Sequence, residues 1–246
     1  MNKWLRIVEE GFYPLIGYWR YKRESHTASL IVTLYAALLC LMTFPGTLLL
    51  GRKETRLDKP DEYTRRRLWH GLRVDFLTLS CVAIEVMGLE LVNPPATALR
   101  TFLIGFAIWR ILDISAYAQR VVIFDRYIPV AMGAAQPEHV IGSKERVIVM
   151  SFINYLETGL CYAMLYFLLP NAEVGQAGTP INTGQDALYF SFVTQLTIGY
   201  GDFTPRGDAR WIAISQGFLG TMYLTVVIAR FIATLANVTD VSEMKR

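Results

Sequence analysis

Thr197-Ile198-Gly199-Tyr200-Gly201-Asp202 lies between an apolar, aromatic run, Ala187 to Leu196, and a long hydrophobic segment, Trp211 to Ala236. Glycine takes positive φ at little cost, so Gly199 and Gly201 allow a short backbone to turn successive carbonyls toward one axis. The carbonyls of Thr197, Ile198, Gly199 and Tyr200, with the Thr197 hydroxyl, then form a ladder of oxygens. A cation leaving water needs such a ladder, because fixed oxygens must replace its hydration shell.

At these residues the chain resembles the tetrameric potassium channels, and the resemblance covers about residues 145 to 236. Ala187-Leu188-Tyr189-Phe190-Ser191-Phe192-Val193-Thr194 reads like that family's pore helix. Leu219-Gly220-Thr221-Met222-Tyr223, followed by Ile228-Ala229-Arg230, reads like the inner helix of its bacterial members. Gln195 and Leu196 stand where the family more often has Leu and Thr, and Ile198 replaces the commoner Val. The resemblance implies a homotetramer in which each chain supplies a quarter of every oxygen ring. Thr197, Ile198, Gly199, Tyr200 and Gly201 would be the selectivity filter, with K+ held at Thr197, Ile198, Gly199 and Tyr200. Asp202 would support the filter from behind, hydrogen-bonded to the pore helix, and Gly220 would be an inner-helix hinge. Potassium is then a permeant ligand and no cofactor is implied.

Composition points to the same class. Hydrophobic residues make up 53% of the 246 and fall into long runs separated by charged stretches, a pattern foreign to soluble domains. A crossing helix needs about 20 apolar residues, and five segments qualify: roughly 28–50, 73–92, 97–120, 146–169 and 209–236. The pore helix, about 184–196, is too short to span. The expected fold is thus an all-α polytopic membrane protein, a pore module of outer helix, pore helix, filter and inner helix preceded by about three transmembrane helices. It belongs in a cell membrane, plasma or bacterial inner, as a multi-pass protein.

Cys40, Cys81 and Cys161 all lie in apolar runs without a Cys-x-x-Cys pair, which argues against metal and disulfide. His26, His70 and His139 are scattered outside the spans, so no nucleophile and base or metal set is in view and no enzyme is expected. A net charge of +3, with cations beside membrane segments, fits positive-inside placement and not a nucleic-acid face. No soluble small-molecule substrate is evident.

Taken in order, residues 1–27 mix Trp4, Phe12, Tyr13, Tyr18, Trp19 and Tyr21 with Lys and Arg and suit the headgroup layer, facing membrane lipid. Apolar character begins only near Ala28, so no removed signal peptide is expected. Residues 28–120 hold the N-terminal transmembrane helices, with the basic 51–73 loop inside. Residues 73–120 form a hairpin around Asn93-Pro94-Pro95-Ala96. Residues 121–145 read as an amphipathic cytoplasmic linker, 146–236 as the pore domain and 237–246 as a short cytoplasmic tail, leaving no room for a nucleotide- or calcium-binding domain. The stretch from Asn171 to Asp186 lacks Lys and Arg and carries Glu173 and Asp186, an acidic extracellular approach.

Charges inside the hairpin must face protein or water and pair. Nearly equal depth from the turn matches Glu90 with Arg100, and Asp75, nearer the inner side, lies within a long side chain's reach of Arg110 as the weaker pair. Arg100, Arg110 and Arg120 are ten residues apart, so each is rotated about 80° from the last and they form no voltage-sensing stripe. The expected function is passive, potassium-selective conduction through a tetrameric Thr-Ile-Gly-Tyr-Gly filter. The alternatives are a weakly selective cation channel, or a non-conducting membrane adaptor that retains the pore fold.

Overall fold

The computed structural model describes residues 12–24, 29–43, 60–90, 97–131, 144–169, 172–176 and 179–235. The chain divides into two compact units, one of residues 1–91 and 108–140, the other of residues 92–107 and 141–246.

In the first unit, α1 (Tyr13–Glu24) and α2 (Leu30–Met42) are followed by the long α3 (Pro60–Glu90). α4 (Thr97–Ile123) contributes its later turns, then a 3-10 turn (Asp125–Tyr127) and a single α-helical turn, α5 (Ile128–Ala131), complete the unit. The core gathers Tyr18, Ala36, Leu39, Ala116, Phe124 and Tyr127. Tyr18 stands edge-on to Phe124 and Tyr127, at centroid distances of 5.6 and 5.3 Å, the arrangement that ring quadrupoles favour. This differs from an entirely interfacial amino end. Tyr18 is buried in protein, while the next residue of α1, Trp19, is exposed. An aromatic and basic sequence suits a headgroup layer and a protein groove equally well, and only tertiary contact separates the two.

Arginine and threonine side chains close the helix ends in this unit. Arg20 reaches the carbonyls of Val130 and Ala131 at 3.4 and 3.3 Å. The Thr43 hydroxyl accepts from Arg120 Nη1 at 2.7 Å and donates back to the Leu39 carbonyl at 3.0 Å, which satisfies carbonyls left open at the end of α2. Arg110 pairs with Asp113, three residues on along α4, at 2.8 Å. Depth from the proline turn points to Asp75 and passes over Asp113, an acid on the same helix face as Arg110. The turn itself, residues 91–96, lies outside the described residues, as does His139.

The second unit holds α6 (Lys144–Leu168), α7 (Gly184–Gln195) and α8 (Ala209–Leu235). It also contains a three-stranded antiparallel sheet in the order β2-β1-β3, formed by β1 (Ala172–Gln176), β2 (Thr179–Pro180) and β3 (Thr204–Gly207). The fold is therefore mostly helical, with a small sheet that an all-α reading omits. β1 pairs with β3 across about thirty residues, Glu173 opposite Arg206 and Val174 opposite Pro205. Strands this short carry no legible alternation, and their pairing exists only because α7 and the turn after it bring the two ends together.

Among the described residues three helices are long and apolar enough to cross a membrane: Thr97–Val121, Ile148–Leu168 and Ala209–Ala229. α2 has 13 residues and is about 20 Å long, short of a hydrocarbon crossing; residues 44–50 of the expected segment lie outside the description. The 73–92 segment is part of α3, where Arg73, Asp75, Glu85 and Glu90 leave no window poor enough in charge to rank with the other three.

α1 sits on its unit through Gly17, whose missing side chain makes room for the Tyr127 carbonyl; a Cβ there would overlap that oxygen. Overpacking of this kind costs about 1–3 kcal/mol. Gly17→Ala is expected to raise amide hydrogen exchange in α1 and the 125–131 segment by about tenfold or more, with α7 unchanged, as measured by mass spectrometry in detergent. Unaltered exchange in α1 would show that the helix is not held there.

Candidate functional site

α7 starts where Thr183 supplies an extended cap: its hydroxyl accepts from the Asp186 N–H at 3.1 Å and bonds the Asp186 carboxylate at 2.8 Å. A carboxylate in the first turn also complements the positive end of the helix dipole. Asp186 thus serves the helix start. The buried face, Ala187, Phe190, Ser191, Val193 and Gln195, packs on α6. Phe190 meets the Tyr166 ring edge-on at 4.8 Å. Gly159 gives way to Phe192, whose ring lies 2.9 Å from where a Cβ would stand.

The end of α7 is the unusual feature. Thr197 N–H bonds the Thr194 carbonyl at 3.1 Å and Ile198 N–H bonds the Val193 carbonyl at 2.9 Å, the paired closing bonds of a left-handed helix cap. Glycine normally fills that left-handed position, yet Thr197 holds it at φ 56°. A β-branched residue there is strained by about 1–3 kcal/mol and stays only if its surroundings over-determine it. Beyond it Gly199 and Gly201 have φ of 61° and 79°, and among the described residues no non-glycine other than Thr197 has positive φ. The sign therefore alternates from Thr197 to Gly201. A regular strand repeats one conformation and points its carbonyls to opposite sides; alternation of hand removes that reversal.

Ile198 and Tyr200 are 47% and 69% exposed in the single chain. Asp202 Oδ2 accepts a hydrogen bond from Tyr189 on α7 at 2.8 Å, and this bond, ahead of other causes, raises the Tyr189 phenol above its usual range. Phe203 packs on the same ring. β3 follows at once, so the outer end of the stretch is tied both to α7 and to β1.

Behind α7, polar side chains from all three helices meet in one buried cluster. Gln195 Nε2 donates to the Tyr155 carbonyl at 2.6 Å, and Tyr155 Oη donates to the Gln195 carbonyl at 3.2 Å. Gln216 on α8 donates Nε2 to the Ser191 carbonyl, the Ser191 hydroxyl and Gln195 Oε1, at 3.0, 2.8 and 3.2 Å. Its Oε1 accepts from Tyr166 at 2.9 Å, and Ser191 Oγ donates to the Gly159 carbonyl at 2.7 Å. Sequence reasoning noted Gln195 only as a departure from a pattern and passed over Gln216 entirely. The signal was present, since each is a lone amide within an apolar run and Tyr155, Gly159, Tyr162 and Tyr166 recur at helical spacing.

Gly220 lies one turn beyond Gln216, and a Cβ there would stand 3.3 Å from Gln195 Cγ and 3.4 Å from its carbonyl oxygen. The glycine thus marks a close approach in a helix that runs unbroken from Ala209 to Leu235. Phe152, Tyr155, Leu196, Gly220, Leu224 and Val227 line a cavity of about 360 Å³ that reaches Thr197.

Comparison with known proteins agrees with this geometry. Residues 151–237 match a family described as ion channel. Protein LctB of Geobacillus stearothermophilus is 37% identical over 79 residues, 29% of this chain and 59% of its own length. Protein LctB of Bacillus caldotenax is 36% identical over 84 residues, 31% of this chain and 63% of its length. The two pore potassium channel c of Oryza sativa subsp. japonica is 32% identical over 89 residues, 36% of this chain and 19% of its length. The chain thus spans about three fifths of the LctB relatives it matches. No solved structure matches it significantly. Over residues 151–237 this membrane protein therefore carries a domain similar to ion channels, and one relative along that stretch is a potassium channel.

Proposed function

We propose that four copies of the chain assemble around Thr197–Gly201 and conduct potassium passively down its electrochemical gradient. The observation that carries this reading is the alternating hand of the backbone at Thr197, Gly199 and Gly201. It allows successive carbonyls to face one axis at close intervals, which is the chemistry a dehydrated monovalent cation requires. α7 ends at the inner limit of that ladder, and the negative end of its dipole, about half an elementary charge, would favour a cation there.

The fourfold assembly rests on surfaces that one chain leaves uncovered. Trp211, Ile214, Phe218, Ile228 and Ile232 are exposed at helical spacing along α8, and most of its apolar length is uncovered. Thr221 and Thr225, between them, turn their hydroxyls back to the Gly217 and Thr221 carbonyls, so the stripe stays compatible with lipid or a neighbouring chain. Ile198 and Tyr200 would be covered by neighbouring copies. No catalysis and no cofactor form part of this reading.

Purified protein in planar bilayers is expected to give currents that reverse near the potassium equilibrium potential when sodium replaces potassium on one side. Equal permeability would leave a weakly selective cation channel, and absence of current a non-conducting adaptor. Gly199→Ala separates fold from conduction. A Cβ at this residue meets nothing within 4 Å in the single chain, yet left-handed backbone costs it about 1–2 kcal/mol in each subunit. The variant is expected to purify with wild-type secondary structure and to lose selective current.

A second expectation concerns voltage. Arg110 is paired with Asp113, Arg120 bonds Thr43 and lies over the Tyr117 ring, and Arg100 Nε bonds the Leu168 carbonyl. Each arginine has its own local anchor, and one charge moved through the field yields only about 2.3 kcal/mol per 100 mV. The conductance–voltage relation should be shallow, and a curve as steep as several mobile charges per subunit would overturn this.

A further inference from the structure

The strained threonine at the start of the ladder needs something to hold it, and the buried amides behind α7 are placed to do so. Gln195 is two residues before Thr197, and its side chain and carbonyl are both engaged by Tyr155. Its remaining amide oxygen is engaged by Gln216. Gln216 is itself fully buried, and Gln195 is 2% exposed. The two amides are oriented head to tail: Tyr166 hydroxyl to Gln216 oxygen, Gln216 nitrogen to Gln195 oxygen, Gln195 nitrogen to Tyr155 carbonyl. Reversing either amide would set donor against donor or acceptor against acceptor, so the chain has one arrangement.

We propose that Gln216 is a positioning residue for the ion path: through Gln195 it holds the end of α7 so that Thr197 keeps its left-handed backbone. Potassium preference then depends on an amide of α8 that touches no ion. This rests on the reading of Thr197–Gly201 as the filter. The physical logic is over-determination. A non-glycine left-handed residue relaxes when its frame loosens. Loss of the Gln216 amide leaves Gln195 Oε1, the Ser191 carbonyl and the Tyr166 hydroxyl short of partners in a buried site. Gly220 permits the approach that lets α8 serve as part of that frame.

The test uses full-length protein reconstituted in planar bilayers, with Gln216→Glu titrated beside wild type. A protonated glutamate keeps one hydrogen to donate, whereas its carboxylate turns only acceptors toward the Ser191 carbonyl and Gln195 Oε1. The expected result is a potassium-over-sodium permeability ratio close to wild type at low pH and lower by about tenfold at high pH, the size of a lost buried hydrogen bond. Wild type titrated in parallel accounts for the native groups on α6, Tyr155, Glu157, Tyr162 and Tyr166. Amide hydrogen exchange at Thr197 and Ile198 is read in Gln216→Leu as well, with at least tenfold faster exchange expected.

A permeability ratio independent of pH in Gln216→Glu, together with unchanged exchange at Thr197 and Ile198 in Gln216→Leu, would overturn the proposal, even if both variants are less stable. If wild type carries no current, the filter reading fails on its own. The exchange measurement then still decides whether Gln216 holds the end of α7.

Discussion

A β-branched residue held in left-handed backbone at the end of a buried helix is the constraint on which the second unit turns. Thr197 closes α7 where glycine is the ordinary choice. The conformation costs energy, so the neighbourhood has to hold it. The paired bonds from Thr197 and Ile198 back to α7, the Tyr155 grip on Gln195 and the tie from Tyr189 to Asp202 all act on the two ends of one short stretch. The stretch itself packs little against its own chain, and its glycines have open space around them. Its geometry is imposed from the ends.

An apolar surrounding gives weight to that arrangement. Amides and hydroxyls on helices that lipid and hydrocarbon side chains enclose lose water, so an unmatched donor is costly and a matched one is directional. The three helices of the second unit meet through tyrosine hydroxyls and glutamine amides at the level of α7, while their exposed large side chains are aliphatic and aromatic. Packing between apolar helices in a bilayer lacks the drive it has in water, and polar contacts then decide which rotation of one helix against another is stable. Gly159 and Gly220 serve the same end by removing side chains where α7 is approached from α6 and from α8.

The amino-terminal unit is held by different means. Its core is aromatic, with Tyr18, Phe124 and Tyr127 in edge-on contact, and its arginines are secured by carbonyls, a hydroxyl or a carboxylate. Charges spaced ten residues apart on a helix point in different directions, so each had to find its own neighbour. Arg110 found it three residues along its own helix, where side chains at that spacing share a face.

The hexapeptide at 197–202, the short helix before it and the long helix after it were legible from the order of residues alone, because glycine spacing and apolar run length are local properties. So, to within about two residues, were the bounds of α6 and α7. What the order of residues left open was every partner choice. Tyr18 sits in a protein groove, Asp113 pairs with Arg110, β1 pairs with β3 across α7, and Gln216 reaches Gln195 from the helix that follows the 197–202 stretch. Each of these joins groups that no local rule relates, and the energies that select among them are those of burial and of hydrogen bonds made or left unmade. Only the packed chain sets those terms.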